Sequence, residues 1–205
     1  MISAIIVAGG KSTRIGRDKK FLEVGGSTFI EIAAGVAGEM ASEVIIVVGS
    51  KGQMEETKAL KIKDVSIIVD IKEGLGPVMG VLTGLHAAKG EWAVVMPVDA
   101  PMMKAGVFKH MLDRKEGYDA VVPKKGEHLE PMYGVFRREA MIVACTSALE
   151  VEGGHASLHN VVRGLGNVNY IPVEDFKKYD EGLLTFYNVN TESDLKELLG
   201  KIKWS

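Results

Sequence analysis

Glycines and cations packed directly behind an apolar strand are the residues of this sequence whose types and spacing best suit chemistry. Ser3-Ala4-Ile5-Ile6-Val7-Ala8 runs into Gly9-Gly10-Lys11-Ser12-Thr13-Arg14-Ile15-Gly16-Arg17-Asp18-Lys19-Lys20. Glycines let a backbone approach a ligand closely, successive free N–H groups form an anion nest, and Lys and Arg add positive charge. The stretch predicts a phosphate site. Its spacing removes two common forms: a P-loop needs a glycine five residues before Gly10, where Ile5 stands, and the adjacent Gly9 and Gly10 break Gly-x-Gly-x-x-Gly. What remains is Ala8-Gly9-Gly10-x-x-x-Arg14-x-Gly16-x-x-Lys19, a glycine turn with spaced cations.

Three further stretches could complete such a site. In Val95-Met96-Pro97-Val98-Asp99-Ala100-Pro101 a carboxylate sits at the tip of a buried strand. That position is costly unless the group binds something, and a hard carboxylate beside phosphates suits Mg²⁺; a turn or N-cap aspartate is the plainer alternative. Gly74-Leu75-Gly76-Pro77-Val78-Met79-Gly80 reads as a turn with proline opening an apolar helix, whose free N-terminus can face a ligand. Phe186-Tyr187-Asn188-Val189-Asn190-Thr191-Glu192-Ser193-Asp194 predicts a strand end and a helix capped by Thr191, with Asp194 in the capping-box position. His155 and His159 are spaced like a metal pair but lack a third ligand, and His128 reads as an exposed loop residue. Cys145, among Ile142, Val143 and Ala144, reads as core.

These residues need a scaffold that brings strand ends together. Continuous apolar runs at Ala4 to Ala8, Val44 to Val48, Val65 to Val69, Ala93 to Met96 and Ala120 to Val122 predict strands covered on both faces. Between them, Ser27 to Glu39, Gln53 to Leu60, Val78 to Ala88 and Lys104 to Arg114 have helical periodicity. The alternation predicts an α/β fold, a Rossmann-like three-layer domain with a mostly parallel central sheet, in which ligands bind at the carboxyl ends of the strands. Asp70 and Asp99 each fall just past a strand. Beyond Glu130 the pattern loosens, with strands expected at Met132 to Phe136, Val168 to Pro172 and Phe186 to Val189, and helices at Arg138 to Leu149 and Ala156 to Arg163. No repeat or linker interrupts residues 1–205, so one domain is expected.

Composition narrows the partners. A net charge of −2 gives no global field for nucleic acid or an anionic membrane. One cysteine allows no intramolecular disulfide and fits a reducing cytoplasm, and the first apolar run is too short to span a bilayer.

The stretch Val7-Ala8-Gly9-Gly10-Lys11-Ser12-Thr13-Arg14-Ile15-Gly16-Arg17-Asp18-Lys19 resembles the signature of the molybdenum cofactor guanylyltransferases, MobA-like nucleotidyltransferases with the nucleotide-diphospho-sugar transferase type of fold. The resemblance implies Mg²⁺-dependent transfer of GMP from GTP to the terminal phosphate of molybdopterin, with release of pyrophosphate. It implies that Ala8, Gly9, Gly10 and Lys19 hold the triphosphate, that Lys11 and Arg14 flank the leaving pyrophosphate, and that Asp99 binds the metal. Asp70, Gly76 and Pro77 would border the purine, although Val78 and Met79 replace the family's usual Leu-Ala after Gly-Pro. Asn188 and Asn190 match a family Asn-x-Asn-Thr and would contact metal, triphosphate or acceptor. His128-Leu129-Glu130-Pro131-Met132-Tyr133-Gly134 resembles the family's segment that begins a returning strand near the acceptor, where His128 would touch a pterin phosphate as the alternative to its reading as an exposed loop residue. Transient contact with molybdoenzyme maturation proteins is a further implication. The alternatives are cytidylyl transfer to the same acceptor, guanylyl transfer to a small phosphorylated acid, or a nucleotide-binding regulator without turnover.

Overall fold

The computed structural model describes residues 1–10, 18–152, 154 and 156–201. The chain runs β1 (Ile2–Val7), β2 (Glu23–Val24), β3 (Ser27–Thr28), α1 (Phe29–Gly38), β4 (Glu43–Val48), α2 (Lys51–Ala59), β5 (Val65–Val69), α3 (Pro77–Ala87) and β6 (Trp92–Pro97). It continues through α4 (Ala105–Leu112), β7 (Ala120–Lys125), β8 (His128–Leu129), β9 (Val135–Arg137), α5 (Arg138–Val151), α6 (Leu158–Arg163), β10 (Val168–Pro172) and α7 (Glu192–Lys201). The central sheet has the order β10-β7-β9-β6-β1-β4-β5, with β8 paired to β7. β1 pairs in parallel with both β4 and β6; β9 runs antiparallel between β6 and β7. The expected α/β architecture with a mostly parallel sheet is what forms.

Alternation along β1 explains why the strand is apolar throughout. Ala4 and Ile6 pack toward Ile30 and Ala33 of α1 and Phe108 of α4, while Ile5 and Val7 pack toward Val81 and Leu85 of α3. Both faces of the sheet are thus covered, and every position must exclude water. α3 lies very close to β1: a Cβ added at Gly84 would stand 2.3 Å from Ile5 Cγ2. Glycine inside a helix costs about 1 kcal/mol relative to alanine. Here it permits the approach that carries the start of α3, at Gly76 and Pro77, to the carboxyl edge of the sheet.

Three expectations need correction. α1 begins at Phe29 and not Ser27, because Ser27 and Thr28 first form a short hairpin with Glu23 and Val24. Thr28 then caps the helix: its N–H donates to Glu31 Oε2 at 2.8 Å, and its Oγ1 accepts from the Glu31 N–H at 3.3 Å. The expected strand at Met132 to Phe136 is a 3₁₀ turn over Pro131–Tyr133 followed by β9, since Pro131 has no N–H for a ladder. The expected strand at Phe186 to Val189 is also replaced by a 3₁₀ turn, Leu184–Phe186, after which Val189 N–H donates to the Asp99 carbonyl at 2.8 Å. The capping reading of α7 holds: Asp194 N–H donates to Thr191 Oγ1 at 3.1 Å, and Thr191 N–H returns a bond to Asp194 Oδ2 at 2.8 Å.

Candidate active site

The connections from β1 lead one way across the sheet to β4 and β5, and the chain then returns to place β6 on the other side of β1. The loops after β1 and β6 flank the resulting crevice, where open α/β sheets bind ligands. Lys19 comes from the first loop and Asp99 from the second. Lys19 Nζ lies 3.5 Å from Asp99 Oδ2 and donates to Asn190 Oδ1 at 2.7 Å. Asn190 reaches this point because the Val189 N–H is bound to the Asp99 carbonyl and its own N–H donates to Asp194 Oδ2 at 2.8 Å.

Burial raises the Asp99 carboxyl above its ordinary range, and the neighbouring Lys19 charge only partly opposes the shift. This carboxylate is short of positive charge, which is the condition a cation would relieve.

The lysine is held by residues the sequence did not single out. Asp18 pairs with the ammonium of Lys20, which is 0% exposed and lies 4.8 Å from the centre of the Phe21 ring. A buried ammonium needs such a partner. Gln53 Nε2 donates to Asp18 Oδ2 at 3.0 Å, and Gln53 Oε1 accepts from the Gly49 N–H at 2.8 Å. α2 therefore ties the end of β4 to the segment carrying Lys19. The Asp18-Lys19-Lys20 run was visible as charge; that Lys20 is a buried strut depends on Gln53 and Phe21.

Three neighbouring clefts open along this edge. The first, about 490 Å³, is bordered by Gly9, Gly10, Gln53, Asp70, Gly76 and Pro77. Its floor is main chain, for a Cβ on Gly9 would stand 3.0 Å from the Gly49 nitrogen. Thr83 Oγ1 donates to Asp70 Oδ1 at 2.7 Å and accepts from the Ile71 N–H, fixing Asp70 in the wall. The second, about 210 Å³, includes Ala8, Gly9, Gly10, Lys19 and Asp99. The third, about 440 Å³, includes Asp99, Glu130, Tyr133, Leu158, His159 and Asn188. Pro77 borders all three, so the uncapped start of α3 faces the junction.

Tyr133 is 1% exposed, and its hydroxyl donates to Asn188 Oδ1 at 2.5 Å. Burial raises the phenol's pKa further, so it remains a donor at any working pH. Accepting on Oδ1 leaves the Asn188 NH₂ group to face a ligand. Proximity of Tyr133 to Asn188 spans 55 positions and has no local sequence signal.

The structure thus joins Lys19, Asp99 and Asn190 directly, sets Ala8, Gly9, Gly10, Asp70, Gly76 and Pro77 along the first two clefts, and puts Asn188 in the third. Lys11, Arg14 and His155 lie outside the described residues. His159 Nε2 carries its proton and donates to the Leu129 carbonyl at 3.0 Å. His128 is exposed, and Cys145 is buried with its thiol pushed up to about 12 by desolvation, as a core residue should be.

Among the described residues, no three His, Cys, Asp or Glu side chains form a preassembled metal group. A zinc-type cage is therefore not offered there. One hard carboxylate beside a triphosphate-sized cleft does fit Mg²⁺, which keeps waters and takes much of its coordination from substrate phosphates.

A family model described as the MobA-like NTP transferase domain matches residues 4–167. A probable molybdenum cofactor guanylyltransferase of Pelotomaculum thermopropionicum is 34% identical over 195 residues, covering 94% of this chain and 89% of the relative. One from Natronomonas pharaonis is 31% identical over 199 residues, with 95% of both chains covered. The crystal structure of the molybdopterin-guanine dinucleotide biosynthesis protein A from Archaeoglobus fulgidus superposes with a TM-score of 0.81 at 26% identity, covering 98% of this chain and 100% of that one.

Proposed function

The chain belongs to the MobA-like NTP transferase family, and from that premise we propose that it transfers GMP from GTP to the terminal phosphate of molybdopterin, releasing pyrophosphate. The observation that carries this reading is the junction of Lys19, Asp99 and Asn190 between the nucleotide-sized first cleft and the third cleft, which includes Asn188.

GTP lies with its base in the first cleft and its phosphates over Gly9 and Gly10 toward Lys19. The acceptor enters the third cleft with its phosphate leading to Asp99. An acceptor phosphate oxygen forms a bond to the α-phosphorus as the bond from that phosphorus to the bridging oxygen breaks, and pyrophosphate leaves with the electron pair. A phosphate monoester is already anionic at neutral pH, so no protein base is needed. Catalysis then rests on positioning and charge neutralisation.

Lys19 supplies positive charge to the triphosphate, and Asn190 holds the ammonium in place. Asn188 offers its NH₂ group to the acceptor phosphate. Asp99 would hold Mg²⁺, whose contribution when bound is to neutralise phosphate charge. The same reading places the reaction in the cytoplasm, with the product passed on to molybdoenzymes through their maturation proteins.

The test is a thermal-shift comparison of GTP, CTP and ATP with Mg²⁺, followed by pyrophosphate release from GTP in the presence of molybdopterin. Selective stabilisation by GTP and acceptor-dependent release are expected. Selective stabilisation by CTP, or release that ignores the acceptor, would overturn the assignment.

A further inference from the structure

The third cleft contains a carboxylate for which the reaction has no use. Glu130 is half-buried there, between the apolar side chains of Leu129, Pro131, Met132 and Leu158. Its main chain is fixed on both sides, with its N–H donating to the Pro123 carbonyl at 2.8 Å and its carbonyl accepting from Tyr133 at 3.0 Å. The carboxylate itself has no hydrogen bond or ion pair among the described residues. Lys125, His159 and His128 act on it only as more distant charges, and desolvation raises its pKa despite them. A partly desolvated carboxylate without a donor is unfavourable, and a ligand carrying donors would correct it.

Apolar walls with a small number of placed polar groups are what a flat heteroaromatic ring requires, and between Leu129, Pro131, Met132 and Leu158 the placed group is Glu130. A 2-amino-4-oxopyrimidine ring presents a ring N–H and an amino N–H side by side, matched to the two oxygens of a carboxylate. Pterins and guanine share that edge. Position separates them, because Glu130 shares its cleft with Asp99 and Asn188, whereas the nucleotide cleft lies beyond Lys19 along Gly10 and Asp70.

We propose that Glu130 recognises the amino-amide edge of the acceptor's pterin and so determines which phosphorylated acceptor is used. This rests on the reading that the acceptor is a pterin phosphate. The carboxylate also repels phosphate, which favours the pose with the ring at Glu130 and the phosphate at Asn188 and Asp99.

The experiment measures direct binding of 6-hydroxymethylpterin and 6-hydroxymethyllumazine, which replaces the 2-amino group by oxygen, to the wild-type protein, Glu130→Gln and Glu130→Asp, with GTP titrated in parallel. Wild type should prefer the pterin by at least about tenfold, the size of one charged hydrogen bond. Glu130→Gln should erase the preference and Glu130→Asp retain part of it, with GTP affinity equal in all three. Equal or undetectable binding of both rings by wild type, or an intact preference in Glu130→Gln, would overturn the inference. So would loss of GTP affinity in place of pterin affinity, since that assigns the carboxylate to guanine. Binding requires no turnover, so a failed guanylyl-transfer assay and a failed pterin preference are separate results.

Discussion

Tyr133→Phe removes one oxygen from the site and leaves the ring that packs at 5.2 Å, edge-on, against Phe186. What is lost is the hydrogen bond at 2.5 Å that fixes the direction of the Asn188 carboxamide. Because Asn188 is exposed, its released oxygen can find water, so the stability cost stays near the net value of one hydrogen bond, about 1 kcal/mol. For a chain of this size that corresponds to a melting temperature lower by about 2–4 °C. The kinetic effect is larger and one-sided. A freely rotating carboxamide presents its oxygen to the acceptor phosphate part of the time, and the loss of a charge-assisted bond raises acceptor KM by about tenfold. KM for GTP stays unchanged, since its cleft lies beyond Lys19. Adding Asn188→Ala to Tyr133→Phe should cost little more than Asn188→Ala alone, because both remove the same interaction. Steady-state kinetics with each substrate varied, plus thermal melts of the single and double variants, check this. Equal increases in both KM values, or strictly additive losses, would refute the positioning role of Tyr133.

Asp99→Asn should abolish acceptor-dependent pyrophosphate release while the protein, without divalent cation, melts no lower than wild type at neutral pH. The folded carboxyl's pKa lies above the ordinary 3.8, so the folded state holds the proton longer than the unfolded chain, and wild type loses stability as pH rises between those two values. The advantage of Asn should therefore grow as pH rises from the ordinary carboxyl value through the raised one and stay level above it; a variant that is less stable at pH 7, or active, contradicts this account of Asp99. Gly9→Ala drives a Cβ to 3.0 Å from the Gly49 main chain, which cannot yield as a side chain would. The cost is about 1–3 kcal/mol, together with at least tenfold weaker GTP binding, read by melting and by nucleotide titration. Wild-type GTP affinity in that variant would show that the main-chain floor does not shape the nucleotide cleft.

The central strands were legible because β1, β4, β6 and β7 are apolar on both faces and no other element suits such runs. The same clarity extended to the turn after each strand, and hence to Lys19, Asp99, Asp70 and Gly76-Pro77, which lie near strand ends whichever neighbours surround them. Legibility failed where a residue's part depends on a distant partner. Lys20 looks like one more cation until Asp18 and Phe21 enclose it. Gln53 looks like ordinary helix surface, yet it joins Gly49 to Asp18. Pro131–Tyr133 has strand-like composition, but it turns, and that turn brings the Tyr133 hydroxyl to Asn188. The stretch from His128 to Gly134 was legible by resemblance as lying near the acceptor, but Glu130 was not singled out within it, since its environment comes from α6 as well as from its own loop.

The bond from Lys19 to Asn190 joins positions 171 residues apart, and the main-chain bond from Val189 to Asp99 puts the second asparagine in place. On a nascent chain the glycine turn and its lysine emerge first, followed by the parallel core, while Asn188 and Asn190 emerge after nearly all of it. Long-range closures of this kind form late in folding. The protein can thus acquire a collapsed sheet and a nucleotide-sized cleft before it has the residues that link the two halves of the site. Asn188 and Asn190 are therefore the last parts of the site to be supplied, and a translation product ending before residue 188 would carry the residues of the first cleft without them.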